Sequence, residues 1–139
     1  MIISLNIRCA AHVEHMFRNY SRDAYGLALP YNADCAYSGL LSQGEDLFLA
    51  AHGSPVSIGH QEGDPRFTPS QLAQWLEHWV LPCNYWGKIY IAAPGARASY
   101  LDDLLAELGP AFRGRLHGQF DLAYSQLSPP VEDAWVKVA

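Results

Sequence analysis

The chain has 139 residues, half of them apolar and 17% charged, with four Trp, eight Tyr and five Phe; this length suits one domain over residues 1–139, and such a composition excludes a disordered chain. The net charge of −5, with nine Lys and Arg scattered and no basic run, excludes the electrostatic footprint of a nucleic-acid binder. No stretch approaches the roughly 20 apolar residues of a membrane span, and Cys9, Cys35 and Cys83 are odd in number and irregularly spaced, unlike a disulfide framework.

In chain order, "MIISLNI" at Met1 to Ile7 is an apolar run of strand length, too short and too soon charged for a secretory signal peptide. The expected location is therefore the cytoplasm, or outside it through a signal-independent secretion system. Val13, Met16, Phe17 and Tyr20 then fall near helical spacing. From Gly26 to Gln43 the pattern dissolves among Gly, Pro, Asn and Ser, which predicts a long loop or an irregular hairpin.

Asp46 to Ala51, "DLFLAA", is an apolar run without alternation, as in a strand covered on both faces, and Gly53, Ser54 and Pro55 end it. A Gly-rich loop follows, carrying His60, Glu62 and Asp64. "TPSQLAQWLEHWVLP" opens a helix with Thr68 as N-cap, Pro69 at its first position and Gln71 completing a capping box. Its predicted apolar stripe is Leu72, Leu76, Trp79 and Val80, with Trp75 nearer the surface.

"KIYIAAPGA" predicts another buried strand. In "SYLDDLLAELG", Ser99 is the expected cap of a helix bearing Leu101, Leu104, Leu105 and Leu108, with Gly109 at its end. "GRLHGQFDLAYS" supplies a further strand, and a short tail carries Trp135. This alternation predicts an α/β fold, a three-layer α-β-α sandwich around a mainly parallel sheet of four or more strands.

In such a sheet, ligands gather at the carboxyl ends of neighbouring strands. His52 stands at one such end, and the next strand ends in "IAAPGA", residues 91 to 96. Arg97, after the Pro-Gly, suits a carboxylate partner, and His117 in the last strand is expected to face the same edge. The acidic residues beside His60 suit a basic side chain or a cation.

The segments "LFLAAHGSP", "FTPSQLAQWLEHW", "KIYIAAPGA" and "SYLDDLLAEL" together resemble the caspase-like cysteine peptidases, especially the autoprocessing and effector domains of bacterial toxins, over roughly residues 45 to 125. The resemblance implies a hydrolase in which His52 is the catalytic histidine and the Gly53 amide helps to form the oxyanion site. It places the nucleophile at Ala93 or Pro94, where no nucleophilic side chain exists. Ser54, His60 and Arg97 are then the candidate substrate-binding residues. Removing a nucleophile from such a constellation costs on the order of a million-fold in turnover.

Three functions follow as expectations: a pseudopeptidase that binds a peptide or protein, a cysteine endopeptidase of effector type with its Cys replaced by Ala at position 93, or a scaffold or immunity-type interaction domain. Cys83 belongs to a turn at the opposite edge of the sheet, whereas Cys9 follows the first strand and Cys35 lies in the loop region. Cys9, His12 and His15 step along a helix without a fourth ligand, so no metal is expected. No Gly-x-Ser-x-Gly elbow and no strand-GxGxxG-helix unit is present, which excludes a serine hydrolase of that type and a dinucleotide cofactor.

Overall fold

The computed structural model describes residues 1–6, 25–60, 63–121 and 135–138. In chain order these form β1 (Ile2–Ser4), β2 (Ala28–Pro30), β3 (Leu47–Ala50), β4 (His52–Gly53), β5 (Ile58–His60), β6 (Gly63–Phe67), α1 (Pro69–Trp75), a π-helical turn (Leu76–Val80), β7 (Ile89–Ala92), α2 (Ser99–Leu108), β8 (Leu116–Gln119) and β9 (Val136–Lys137). Six strands make one sheet in the order β2-β1-β3-β7-β8-β9, parallel except for the β8–β9 pair. A small antiparallel sheet, β4-β5-β6, grows out of the end of β3.

Alternation along the strands divides the core. Ile3, Leu47, Leu49, Ile89, Ile91 and Leu116 point to one face, where Leu72 and Leu76 beside α2's Leu101 and Leu104 cover them. Ile2, Phe48 and Tyr90 point to the other and pack with Tyr25 and Trp135. Both faces of β3 are thus covered, which is why its central residues are all apolar. The α/β character and the mainly parallel sheet match the sequence reading, and both described helices lie on one face. The helix expected around Val13 to Tyr20 falls outside the described residues.

Helix α1 starts as predicted. The Thr68 hydroxyl accepts from the Gln71 amide at 3.3 Å, and the Gln71 side chain accepts from the Thr68 amide at 3.0 Å. Its far end differs from expectation, because the Leu81 amide donates to the Leu76 carbonyl, five residues back, at 2.8 Å. Trp75, which precedes that wider turn, is the buried indole, 8% exposed, and Trp79, within it, stands 43% exposed, the reverse of the simple 3.6-residue reading. Helix α2 has Ala98, not Ser99, at its N-cap, and no side chain caps it, so Ser99 lies inside the helix.

Four strands were hidden in weakly patterned sequence. β2 arises within the stretch predicted as a long loop or an irregular hairpin, pairing in parallel with β1, Ala28 with Ile2 and Pro30 with Ser4. β5 and β6 form a hairpin with a register shift at Gly59/His60 inside the predicted Gly-rich loop. β9 lies in the tail.

His117 does not face the ligand edge. It sits mid-strand, opposite Tyr90, and its ring stacks on that tyrosine at 4.6 Å with the Nε2 atom buried and unpartnered. Burial, reinforced by Lys88 and Lys137 and opposed by Asp46, lowers its pKa from the ordinary 6.5. The fold therefore favours neutral imidazole, so its contribution to stability is complete above pH 6.5 and is lost as the pH falls toward the lower folded value. His117→Phe keeps the stack and removes the proton. Urea unfolding of this variant is expected to lose less stability than the parent between pH 6.5 and 5, and parallel losses would refute the assignment.

Candidate functional site

The five parallel strands end level with one another: Pro30, Ser4, Ala50, Ala92 and Gln119 are register partners across the sheet. Backbone pairing continues past these ends. The Ala51 amide donates to Ala92 at 2.9 Å, the Gly53 amide to Pro94 at 3.0 Å, and the Ala93 amide to Gln119 at 3.0 Å. His52 and Gly53 are in this way strapped against the turn that follows β7.

That turn is specified by its sequence. Ala93-Pro94-Gly95-Ala96 closes with the Ala96 amide on the Ala93 carbonyl at 3.0 Å, with Pro94 in the second position and Gly95 at φ 97°, where a side chain would be strained. Gly53 packs against it so closely that no larger residue fits. The sheet edge therefore brings together His52, Gly53, Ala93 and Pro94.

Their orientations separate them. Ala93 is fully buried in the core on the helix-covered face. Phe48 belongs to the opposite face, and the period of two places Ala50 and His52 on that side with it, as it does Ala92 and Pro94 beside Tyr90. His52 is half-buried. The Gly53 amide, the candidate oxyanion donor, is engaged by the Pro94 carbonyl.

The other candidate residues lie apart. Ser54 closes the β4–β5 turn, its amide on the Ser57 carbonyl at 2.9 Å and its hydroxyl 3.0 Å from that of Ser57. His60 ends β5, and its carbonyl accepts from Arg66. Arg97 is exposed beyond the turn. Cys83 leads into β7 and so lies at the amino edge, exposed, whereas Cys35 is half-buried after β2. Cys9, His12, His15 and Glu62 fall outside the described residues, among which no three His, Cys, Asp or Glu side chains gather as for a metal.

A feature that the sequence did not reveal opens beside this edge. An open cleft of about 690 Å³ separates the end of β2 from β6, lined among others by Pro30, Tyr31, Asn32, Asp64, Arg66 and Phe67. Its aromatic wall is firmly backed. Tyr31 and Phe67 meet edge-on at 6.0 Å, and both rest on Trp75, at 5.5 and 5.3 Å. Tyr37 lies under the indole at 5.9 Å.

The backbone around the wall is held as well. The Tyr37 hydroxyl donates to the Pro30 carbonyl and accepts from the Asn32 amide, each at 2.7 Å. Burial raises the pKa of that phenol to about 12, so it remains a donor at neutral pH. Across the cleft, the Tyr100 hydroxyl donates to the Phe67 carbonyl at 2.9 Å. Burial, then the charges of Asp64 and Asp34, raise the pKa of Tyr31.

The Arg66 guanidinium turns toward the hairpin, with Nε on the Ser57 hydroxyl at 3.0 Å, Nη2 on the Ser57 carbonyl at 3.4 Å and Nη1 on His60. A shallower groove of about 390 Å³ continues over Arg66 and Phe67 to Gln71, Trp75 and Trp79. Compared with family models, curated proteins and solved structures, the chain shows no match.

Proposed function

We propose that this chain is a three-layer, caspase-like α/β domain that binds a peptide or protein at the carboxyl edge of its sheet without cleaving it. The supporting observation is the composition of that edge: His52-Gly53 is hydrogen-bonded onto Ala93-Pro94, and neither partner residue offers a thiol or hydroxyl. The resemblance of the surrounding segments to toxin-type peptidase domains supports the fold, and the open cleft alongside supplies a concave surface of ligand size. A histidine without a nucleophile orients a bound carbonyl or side chain and cannot complete acyl transfer.

The test is to expose the protein to peptides from a digested proteome, then recover what it retains and read all new termini by mass spectrometry. Retained peptides with no new termini are expected; new cleavage sites, or an empty eluate, would overturn the reading. Loss of retention in His52→Ala would place the ligand at this edge, whereas indifference would point to a scaffold. Ala93→Cys is expected to gain no peptidase activity, because a side chain at 93 is enclosed in the core on the face away from His52. Peptide hydrolysis by that variant would instead identify a dormant active site.

A further inference from the structure

We infer that the carboxyl-edge site takes a side-chain carboxamide, Asn or Gln, of its bound peptide, and that the buried hydroxyl of Ser4 is the group that recognises it. The inference rests on the peptide-binding reading above and names the chemistry of what is bound.

Three observations carry it. The first is an unsatisfied hydroxyl. Ser4 has no solvent exposure, and its carbonyl accepts from the Tyr31 amide at 2.9 Å, yet its Oγ has no hydrogen-bond partner. A buried hydroxyl without a partner is destabilising, and a folded chain that keeps one has a place for a bound group to fill.

The second observation is where that hydroxyl lies. Ser4 is the register partner of Ala50, which pairs in turn with Ala92. All three share the sheet face that bears Ile2, Phe48 and Tyr90 two residues earlier. Across three adjacent strands the side chains thus fall from Ile, Phe and Tyr to Ser, Ala and Ala, which leaves a step at the rim. Ala50 is half-buried, so the step opens outward. The amides of Ala51 and Gly53 donate to Ala92 and Pro94, continuing the alternation of β3, and the His52 side chain therefore leaves on the same face, two residues beyond Ala50. A strand spacing of about 4.8 Å and a rise of about 3.3 Å per residue put its Cα about 8 Å from that of Ser4.

The third observation is polarity without charge. Pro30, Ser4, Ala50, Ala92 and Gln119 form the last register of the parallel strands, and none of these five is charged. A carboxylate or an ammonium seated on that row would be desolvated without an opposite charge from it, whereas a carboxamide is neutral. The Ser4 hydroxyl donates to the carboxamide oxygen, and the imidazole of His52 accepts from the NH2 group. An aliphatic side chain of the same length would leave the hydroxyl as it is. The hydroxyl binds and does not attack, since the Gly53 amide, the candidate oxyanion donor, is engaged by Pro94.

The probes are N-acetyl-glutamine amide and N-acetyl-asparagine amide, with N-acetyl-methionine amide and N-acetyl-glutamate amide as controls, titrated at neutral pH against the full chain and followed by amide chemical shifts. Saturable shifts centred on Leu5, Ala51 and Gly53 are expected for the two carboxamides, with both controls at least about threefold weaker. Ser4→Ala should weaken the binding of glutamine amide about threefold to tenfold. The same variant should leave the urea midpoint of the free protein unchanged or raised, because it removes a hydroxyl that has no partner.

An unaltered affinity in Ser4→Ala would overturn the proposal, and a lowered midpoint beside it would identify a hydroxyl that only holds a structural water. Equal binding of methionine amide would also overturn it, as would release of ammonia from glutamine amide, which would make Ser4 a nucleophile. Peptides retained from the digested proteome without enrichment in Asn and Gln would sink the carboxamide and leave the peptide-binding reading intact. Conversely, Ser4-dependent binding of glutamine amide by a protein that retains no proteome-derived peptide would sustain the site and sink the wider function.

Discussion

Phe48→Ala is expected to cost about 3–5 kcal/mol of folding free energy. The ring has no solvent exposure, and it is the hub of the aromatic layer on the sheet face opposite α1 and α2. It stacks on Tyr90 at 4.8 Å, meets Tyr25 edge-on at 4.9 Å and reaches Trp135 at 6.4 Å. Truncation removes the transfer free energy of the ring and leaves a void between two strands whose backbones are locked in register. Small domains are stable by about 5–15 kcal/mol, so the loss is about a fifth or more of the total. Urea denaturation with an unchanged slope provides the measurement; a cost under about 1 kcal/mol would mean that this layer does not support the sheet.

The second large effect lies at the carboxyl edge of the sheet. A Cβ on Gly53 would stand 2.4 Å from the Ala96 amide nitrogen and 2.6 Å from the Ala93 carbonyl oxygen, both backbone atoms of a closed turn that cannot swing aside as a side chain can. Gly53→Ala must therefore push β4 away from the turn after β7, and it should cost about 1–3 kcal/mol. The variant is also expected to lose protection of the residue-53 amide against hydrogen exchange, since that amide is the donor to Pro94. Gly39→Ala is the matched control, because nothing lies within 4 Å of its added methyl. Similar costs for the two substitutions would show that the close approach at Gly53 has no energetic weight.

The elements read correctly from sequence are those whose signals are local. The capping box at Thr68 and Gln71 sets the start of α1 without help from the rest of the chain, and the uninterrupted apolar run of β3 states that both its faces are covered. β2 is three residues long and ends in proline, so it offers no periodicity and exists because β1 supplies its partner. The β5–β6 hairpin was obscured by glycines and by its irregular register, which breaks the alternation a strand search relies on.

The site divides along the same line. The placement of His52 just past the end of β3 and of the turn at Pro94-Gly95 just past the end of β7 was legible because residues with strong local preferences follow each apolar run. The cleft was not, because Tyr31, Phe67 and Trp75 are brought together across separate elements, and no spacing within one segment foretells their contact. The hints that existed were Asp64, an acidic residue in the predicted Gly-rich loop, and two prolines, Pro30 and Pro65, in the strands that border the cleft. The exchange of Trp75 and Trp79 had no sequence signal, since the five-residue hydrogen bond between Leu81 and Leu76 is invisible to a pattern of period 3.6.

That hydrogen bond has a further consequence when it is regarded as a phase change. A π-turn amounts to one residue inserted into an α-helix, and everything beyond the insertion is rotated about the axis relative to what precedes it. Without the insertion, the helix would carry Trp79 toward the sheet, where Leu76 and Val80 already fill the core and no room remains for another indole. With it, the second indole is kept outside, in line with Phe67 and Trp75 along the shallow groove. A single supernumerary residue thus converts what would have been a packing conflict in the interior into an exposed aromatic lining of the shallow groove.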